Sequence, residues 1–377
     1  MNVLLIYRSG IAYNEFNETY DKYKGNKVYA IVENEIIKNY MKYLYKDITF
    51  YFLSDLLKDK INMKFDYIVG NPPYQKQVGP DKTQTIWDLL VVKFYSLLKD
   101  GGEMDLIHPG GWRFSTKNSN NAQYKVKNIY KSNKIIRMEF NDKEQGLRKF
   151  GASTDYDIVH LKKERSLDYK DTIVKTKHGI VEINLKKYEI IPTNRFDILD
   201  KLNANKNEEK VNLIFNSNYH TSSGKNCRTR KNKNNEFKYP VVYGYPQKGL
   251  KLFYSNTNCK GHFGISKLII IKASPFSVLD LDSKYGMTQF AAAILDSPIN
   301  LYKMQKVIES KEFKILKKYF CGIGGDAKNS IIDAPDTMFK FIREFKKDFW
   351  KEFYTEEMEQ ELINEGILDI NGNLTSF

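Results

Sequence analysis

Over its first 165 residues the chain alternates short apolar runs with amphipathic stretches, and that alternation is the feature that most restricts its fold. Short apolar runs bounded by polar turns, with helical periodicity between them, describe a parallel sheet covered by helices. The expected strands are Val3–Tyr7, Lys27–Val32, Ile48–Leu53, Phe65–Val69, Glu103–His108, Lys134–Phe140 and Tyr156–Lys162, with helices over Asn34–Tyr45, Thr85–Lys99 and Asn120–Tyr130. Between the last two strands stands only the polar stretch "NDKEQGLRKFGAST", which carries no convincing helix. Those two strands are therefore expected to pair antiparallel at one sheet edge.

From about Leu167 the texture changes to short strand-like runs divided by loops rich in Asn, Lys, Ser and Gly. At 377 residues the chain is long enough for two cores, so a second domain is expected over 167–335, followed by a helical segment at 336–377. No apolar run approaches the length of a membrane span and nothing at the start reads as a signal peptide, so the expected compartment is the cytoplasm. Cys227, Cys259 and Cys321 lie far apart in no Cys/His pattern, which argues for plain thiols and no metal site.

The net charge of +14 draws polyanions such as nucleic acid. Its weight is limited, because 51 of the 60 basic residues are Lys and Asn, Ile and Tyr abound, a composition that an AT-rich genome produces whatever the function. The most basic stretch, "SSGKNCRTRKNKNNEFK" (222–238), has too little apolar content for a core and reads as an exposed loop. Lys225, Arg228, Arg230, Lys231 and Lys233 within it are candidates for phosphate or base-edge contacts, or equally for plain solvation.

The most specific string is "DYIVGNPPYQKQ" (66–77), in which an apolar strand ends in an amide, two prolines and an aromatic ring. A central strand delivers Asn71 to the crevice outside its carboxyl end, where open α/β sheets bind ligands. Pro72 and Pro73 hold the following path extended and bring no backbone donors. The Asn71 side-chain oxygen and the Pro72 carbonyl are then two fixed acceptors beside the face of Tyr74. Such a pair suits an exocyclic amino group on a planar ring: it engages both hydrogens, takes the lone pair out of conjugation and aims it at an electrophilic methyl.

This string resembles the catalytic motif of amino-methyltransferases, above all the DNA N6-adenine methyltransferases of restriction-modification systems. "VYAIVENEI" (28–36) resembles the family's second-strand motif, which implies that Glu33 holds the cofactor's ribose hydroxyls. "FLSDLL" (52–57) resembles the acidic motif that puts Asp55 near the cofactor's adenine. "LLKDGGEMDLIHPGGWR" (97–113) is similar to a segment that places Pro109 and Trp112 at the site's rim, and "KFGASTDYDIVHLKK" (149–163) to one whose aromatic, here Phe150, packs on the target base. In "KGHFGISKLIIIKASPFSVLDLDSKYGMTQFAAAILDS" (260–297) and "ESKEFKILKKYFCGIGGDAKNSIID" (309–333) the second half resembles the target-recognition domain of Eco57I-type adenine methylases.

The resemblance implies a class I S-adenosylmethionine-dependent methyltransferase with a mixed α+β target-recognition domain, acting on a flipped adenine in double-stranded DNA and needing no metal. One departure concerns the methyl donor. The family's first strand ends in a Gly-rich cradle, whereas "YRSGIAYNEF" offers only Ser9-Gly10, and the family's preceding helical motif has no counterpart. "FCGIGGDAKN" (320–328) follows no apolar strand and does not replace it. Fewer cofactor contacts, a shortened gene, or a partner subunit that completes the site are the expectations this raises. A glutamine-amide or RNA amino-methyltransferase shares the Asn71–Tyr74 string, and a non-catalytic DNA-binding subunit fits the thin cradle.

Overall fold

A computed structural model describes residues 1–7, 13–117, 121–165, 172–215, 229–244, 249–271, 276–321 and 335–375. The chain forms two compact units, Met1–Asn194 and Arg195–Phe377.

The first unit opens with β1 (Asn2–Tyr7), α1 (Tyr13–Tyr23), β2 (Lys27–Val32), α2 (Glu35–Leu44), β3 (Thr49–Phe52), α3 (Leu53–Leu57) and β4 (Phe65–Asn71). A hairpin of β5 (Gln75–Gly79) and β6 (Lys82–Thr85) leads to α4 (Trp87–Leu97), β7 (Leu98–Pro109), a 3-10 turn at Gly110–Phe114 and α5 (Ala122–Ser132). Then come β8 (Asn133–Asn141), α6 (Lys143–Phe150), β9 (Tyr156–Arg165), β10 (Thr172–Thr176) and β11 (Gly179–Ile183). Nine strands join one sheet in the order β11-β10-β8-β9-β7-β4-β1-β2-β3. Strands β3, β2, β1, β4 and β7 run parallel, and β9 runs antiparallel between β7 and β8. A mostly parallel sheet with β9 reversed between β7 and β8 is the class I methyltransferase fold, here extended past β8 by the parallel β10 and the antiparallel β11.

Alternation along the strands dictates the layers. Val3 and Leu5 of β1 face a cluster built with Phe16, Tyr20, Met41 and Phe50, so α1 and α2 cover that side. Helix α4 buries Trp87, Leu90, Val91, Phe94 and Leu97, each apolar side chain contributing about 1.5–3 kcal/mol of transfer free energy. Helix α2 starts where Asn34 accepts from the Ile37 amide at 3.0 Å, satisfying one of its free N–H groups.

Three expectations change. The polar stretch after β8 does hold a helix: Asp142 caps α6 by accepting from the Gln145 amide while the Gln145 side chain accepts from the Asp142 amide, both at 3.0 Å. Gly151, at φ +67°, ends it. Strands β8 and β9 pair antiparallel as expected but not at the sheet edge, because β10 adds to β8 and β11 to β10. That addition also moves the unit boundary from 166/167 to Asn194/Arg195.

The second unit begins with α7 (Phe196–Leu202), β12 (Leu213–Ile214), β13 (Thr229–Arg230), β14 (Tyr239–Gly244), β15 (Lys251–Ser255), β16 (Lys267–Ile271) and β17 (Ser277–Asp280). It continues through β18 (Gly286–Met287), β19 (Ala291–Ile294), α8 (Pro298–Glu309), α9 (Lys311–Cys321), α10 (Pro335–Ile342) and α11 (Glu356–Asn364). Two four-stranded sheets, β12-β19-β16-β17 and β13-β15-β14-β18, enclose Val242, Ile269, Ile271, Met287 and Ala293. Lys267 and Asp280, opposite each other on β16 and β17, form a buried ion pair at 2.8 Å. Backbone amides of Lys284 and Tyr285 also donate to Asp280, so the buried carboxylate is well supplied with donors.

The segment 336–377 is not a separate piece. Glu359 of α11 accepts from Lys303 of α8 at 3.0 Å, Glu365 accepts from Lys306 at 2.7 Å, and Phe341 packs on Phe320 with ring centroids 5.0 Å apart. Among the described residues no helix is long and apolar enough to cross a membrane.

Candidate functional site

Asn71 is the last residue of β4, between β1 and β7 near the middle of the sheet, with Tyr7 as its register partner on β1. Gly70 makes this approach possible. It has φ +147°, and a Cβ there would lie 1.8 Å from the Ile6 carbonyl oxygen. No side chain fits, so the backbone of β4 reaches the end of β1 only through glycine. Pro72 and Pro73 are buried, which fixes the path that carries Tyr74 away from the strand.

Glu33 follows the last residue of β2 and is exposed, while Asp55 stands half-buried in the first turn of α3, directly after β3. Parallel pairing thus sets Glu33, Asp55 and Asn71 along the carboxyl edge of one sheet. Ser9 and Gly10 follow β1 but lie outside the described residues.

Tyr74 joins this edge to the later strands. Its hydroxyl is buried and has no hydrogen-bond partner among the described residues. Burial raises its pKa far above the ordinary phenol value, and Glu15, Tyr156, Asp157 and Asp155 add to the rise by their charge. Tyr74 therefore stands in the field of the start of β9 and of α1. Phe150 ends α6 and meets Tyr156 edge to face, centroids 4.9 Å apart. Asn141, the register partner of Tyr156 on β8, is buried with its Nδ2 unpartnered among the described residues.

Trp112 is not at a rim. It is fully buried and its indole N–H donates to Asp157 Oδ2 at 2.7 Å. Arg113, also fully buried, donates from Nε to the same oxygen at 3.0 Å and from Nη1 to Thr193 Oγ1 at 2.9 Å. Burial pushes the Asp157 carboxyl well above the usual carboxylate range, against the pull of Arg113 and Trp112. These residues brace the strand that carries Tyr156; they do not line a surface. The sequence reading passed over Arg113 and Asp157, although an acid inside the apolar run "YDIVHL" was the available signal.

His108 forms a second internal support, stacked between Trp87 and Tyr130 at centroid distances of 5.1 and 5.7 Å, with Nε2 2.6 Å from the Tyr130 hydroxyl. Burial lowers its pKa from 6.5 to about 4, and the Arg113 charge adds to the effect. A base depressed in this way binds fewer protons folded than unfolded. Its contribution to stability is complete above pH 6.5 and is lost as the pH falls toward 4, reaching about 2 kcal/mol at pH 5. Urea unfolding at pH 7 and pH 5 should show that loss in the wild type and a correspondingly smaller one in His108→Gln; identical losses would refute it.

In the second unit Arg230 lies on β13 with its guanidinium 4.8 Å from the Phe237 ring centroid, and Lys231 and Lys233 are exposed. Lys225 and Arg228 are outside the described residues. Among the described residues no cluster of His, Cys, Asp and Glu could hold a metal ion, and Cys259 is a free, exposed thiol.

Comparison with known proteins addresses the same half of the chain. Residues 4–145 match the model of the Eco57I restriction-modification methylase family. Solved structures that superpose include the type I restriction-modification methyltransferase subunit from Streptococcus thermophilus, at 14% identity and TM-score 0.35, covering 50% of this chain and 46% of that one. The M protein of the type I restriction enzyme EcoKI superposes at 10% identity and TM-score 0.33, covering 46% and 43%. TrmN from Thermus thermophilus does so at 14% and 0.27, covering 43% of each. The chain thus spans less than half the length of each of these solved chains. No curated protein matches the sequence. From residue 4 to residue 145, a stretch that includes Glu33, Asp55 and the Asn71–Tyr74 string, the chain is similar to the Eco57I restriction-modification methylases.

Proposed function

We propose that the protein is a DNA methyltransferase that moves a methyl group from S-adenosylmethionine to the N6 amino group of adenine in duplex DNA. The observation that carries this reading is Asn71-Pro72-Pro73-Tyr74 at the carboxyl end of β4, held there by Gly70.

The residues present suit the cofactor. Glu33 and Asp55 offer carboxylates at neighbouring strand ends, one for ribose hydroxyls and one beside the adenine ring. When bound, the sulfonium supplies a methyl group already activated for transfer. The chain's own part is alignment. The Asn71 oxygen and the Pro72 carbonyl accept the two amino hydrogens, while Tyr74 stacks on the ring and Phe150 packs against it. A paired base cannot reach Asn71, so adenine is rotated out of the duplex at a cost of a few kcal/mol. The second unit reads the target, with Lys225, Arg228, Arg230, Lys231 and Lys233 on phosphates or base edges. A restriction-modification system, or a phage or plasmid modification system, is the setting, with a nuclease or a site-completing subunit as the protein partner.

Purified protein incubated with methyl-labelled cofactor and, separately, duplex DNA, RNA or a release factor should label DNA, and the label should digest to N6-methyladenine. Label confined to RNA or to the release factor overturns the assignment. Calorimetry supplies the other arm: no cofactor binding, with or without DNA, points to a non-catalytic subunit.

A further inference from the structure

The hairpin that follows Tyr74 is the feature the site does not yet use. Among the described residues, strands β5 and β6 pair only with each other, as a sheet of their own. All their residues except Gly79 are exposed, including Val78 at 47%. A lone two-stranded ribbon with no apolar face is marginal in water, yet this one is held at both ends. Its base is closed where the Ile86 amide donates to the Tyr74 carbonyl at 3.0 Å, between buried Pro72-Pro73 and buried Ile86-Trp87. Its tip is braced by Gln77 Nε2, which donates to the Pro80 carbonyl at 2.9 Å.

Register gives the ribbon two different faces. Lys76 is opposite Gln84, and Lys82 lies two residues before Gln84, so Lys76, Gln84 and Lys82 share one side. Gln75, Gln77 and Thr83 share the other. Neither Lys76 nor Lys82 makes an ion pair among the described residues, whereas Lys93, Lys99 and Lys163 in the same unit do. Two exposed lysines with no ion pair among the described residues therefore stand on the element that begins one residue after Tyr74.

We infer that this hairpin is a duplex-contacting ribbon that runs along a DNA groove beside the target base, with Lys76 and Lys82 on backbone phosphates. The inference rests on the proposed DNA methyltransfer. A two-stranded β-ribbon fits the major groove. The five residues of β5 span about 17 Å, roughly five nucleotide steps at ~3.4 Å each. The ribbon's edges suit strand addition by another protein poorly, since the bulge at Val78, Pro80 and the two lysines interrupt them. Its base is fixed to the backbone that carries Asn71 and Tyr74, so the ribbon sets the angle at which the duplex meets the site.

The test uses the full chain, with genomic DNA from a methylation-free host, native or heat-denatured, as the probe. In the double variant Lys76→Gln/Lys82→Gln, the slope of log affinity for native DNA against log salt should become shallower by about 2, about 0.9 per phosphate contact. Methylation of native DNA should fall about 10-fold, with denatured DNA affected less than 2-fold, a split that a purely structural role does not produce. A second variant, with 76–84 replaced by a short Gly-Ser turn, should show the same split more strongly. Unchanged salt slope and unchanged native-DNA methylation overturn the inference and leave the ribbon for a protein partner. Equal losses on native and denatured DNA also overturn it. If the wild type labels only native DNA, the salt slope decides. A wild type that labels no DNA of either kind sinks the proposed function itself.

Discussion

Asn71→Ala should lower methyl transfer by at least about 10²–10³-fold, the usual cost of removing one preorganised group that meets charge developing in a transition state. The reason is geometric. Asn71 ends a strand hydrogen-bonded on both sides, so the backbone that carries its side chain is fixed before any base arrives. Cofactor affinity should stay within about 2-fold, because Glu33 follows β2 and Asp55 lies in α3, away from β4. The melting temperature should hardly move, since Asn71 is only half-buried and truncating it exposes no core. Measured together, turnover, calorimetric affinity and thermal stability separate chemistry from folding. An Asn71→Ala protein with turnover near wild type removes Asn71 from the reaction.

Gly70→Ala should be the most damaging methyl group that can be added to the first unit. The new Cβ would lie 1.8 Å from the Ile6 carbonyl oxygen and 2.6 Å from its carbon, both backbone atoms that cannot rotate away. Relief requires β1 and β4 to separate at the centre of the sheet. A loss of at least about 4 kcal/mol is expected, the range reserved for strain or a broken core. Gly101→Ala is the control for positive φ alone: Gly101 has φ +76°, but nothing lies within 4 Å of its Cβ, so it should cost only about 1 kcal/mol. Urea midpoints and soluble yield of the two variants test the difference. Equal stabilities would mean that the close approach at Ile6 is not maintained in solution.

The same glycine shows what could be read from the sequence and what could not. The parallel strands were legible as short apolar runs bounded by polar turns, and Asn71 was legible because Asn-Pro-Pro-Tyr follows such a run. Helix α6 was not, since "KEQGLRKF" is charged and contains a glycine; its only signals were the Asp142 and Gln145 of a capping box. Strands β10 and β11 lie beyond the polar stretch at 166–171, and pairing across such a gap is a tertiary choice with no local signature. Trp112 illustrates a further limit. An aromatic after a strand end reads equally as a rim or as a support, and only the hydrogen bond to Asp157 decides for support. Gly70 reads as one more small residue before an asparagine, because the atom it avoids belongs to a strand 64 positions earlier, at Ile6.

The reversed strand between β7 and β8 also sets an order of assembly during synthesis. Glu103 pairs with Lys162, 59 positions later, so β7 waits for β9 before its outer edge is covered. At about 5–20 residues per second that wait lasts about 3–12 s, during which β7 and then β8 present unpaired backbone. Exposed edges of this kind invite pairing with other chains. Charged residues on these two strands, Glu103 and Asp105 on β7 and Lys134 and Arg137 on β8, stand at the edges that wait, where they oppose such pairing until β9 arrives to bond with both.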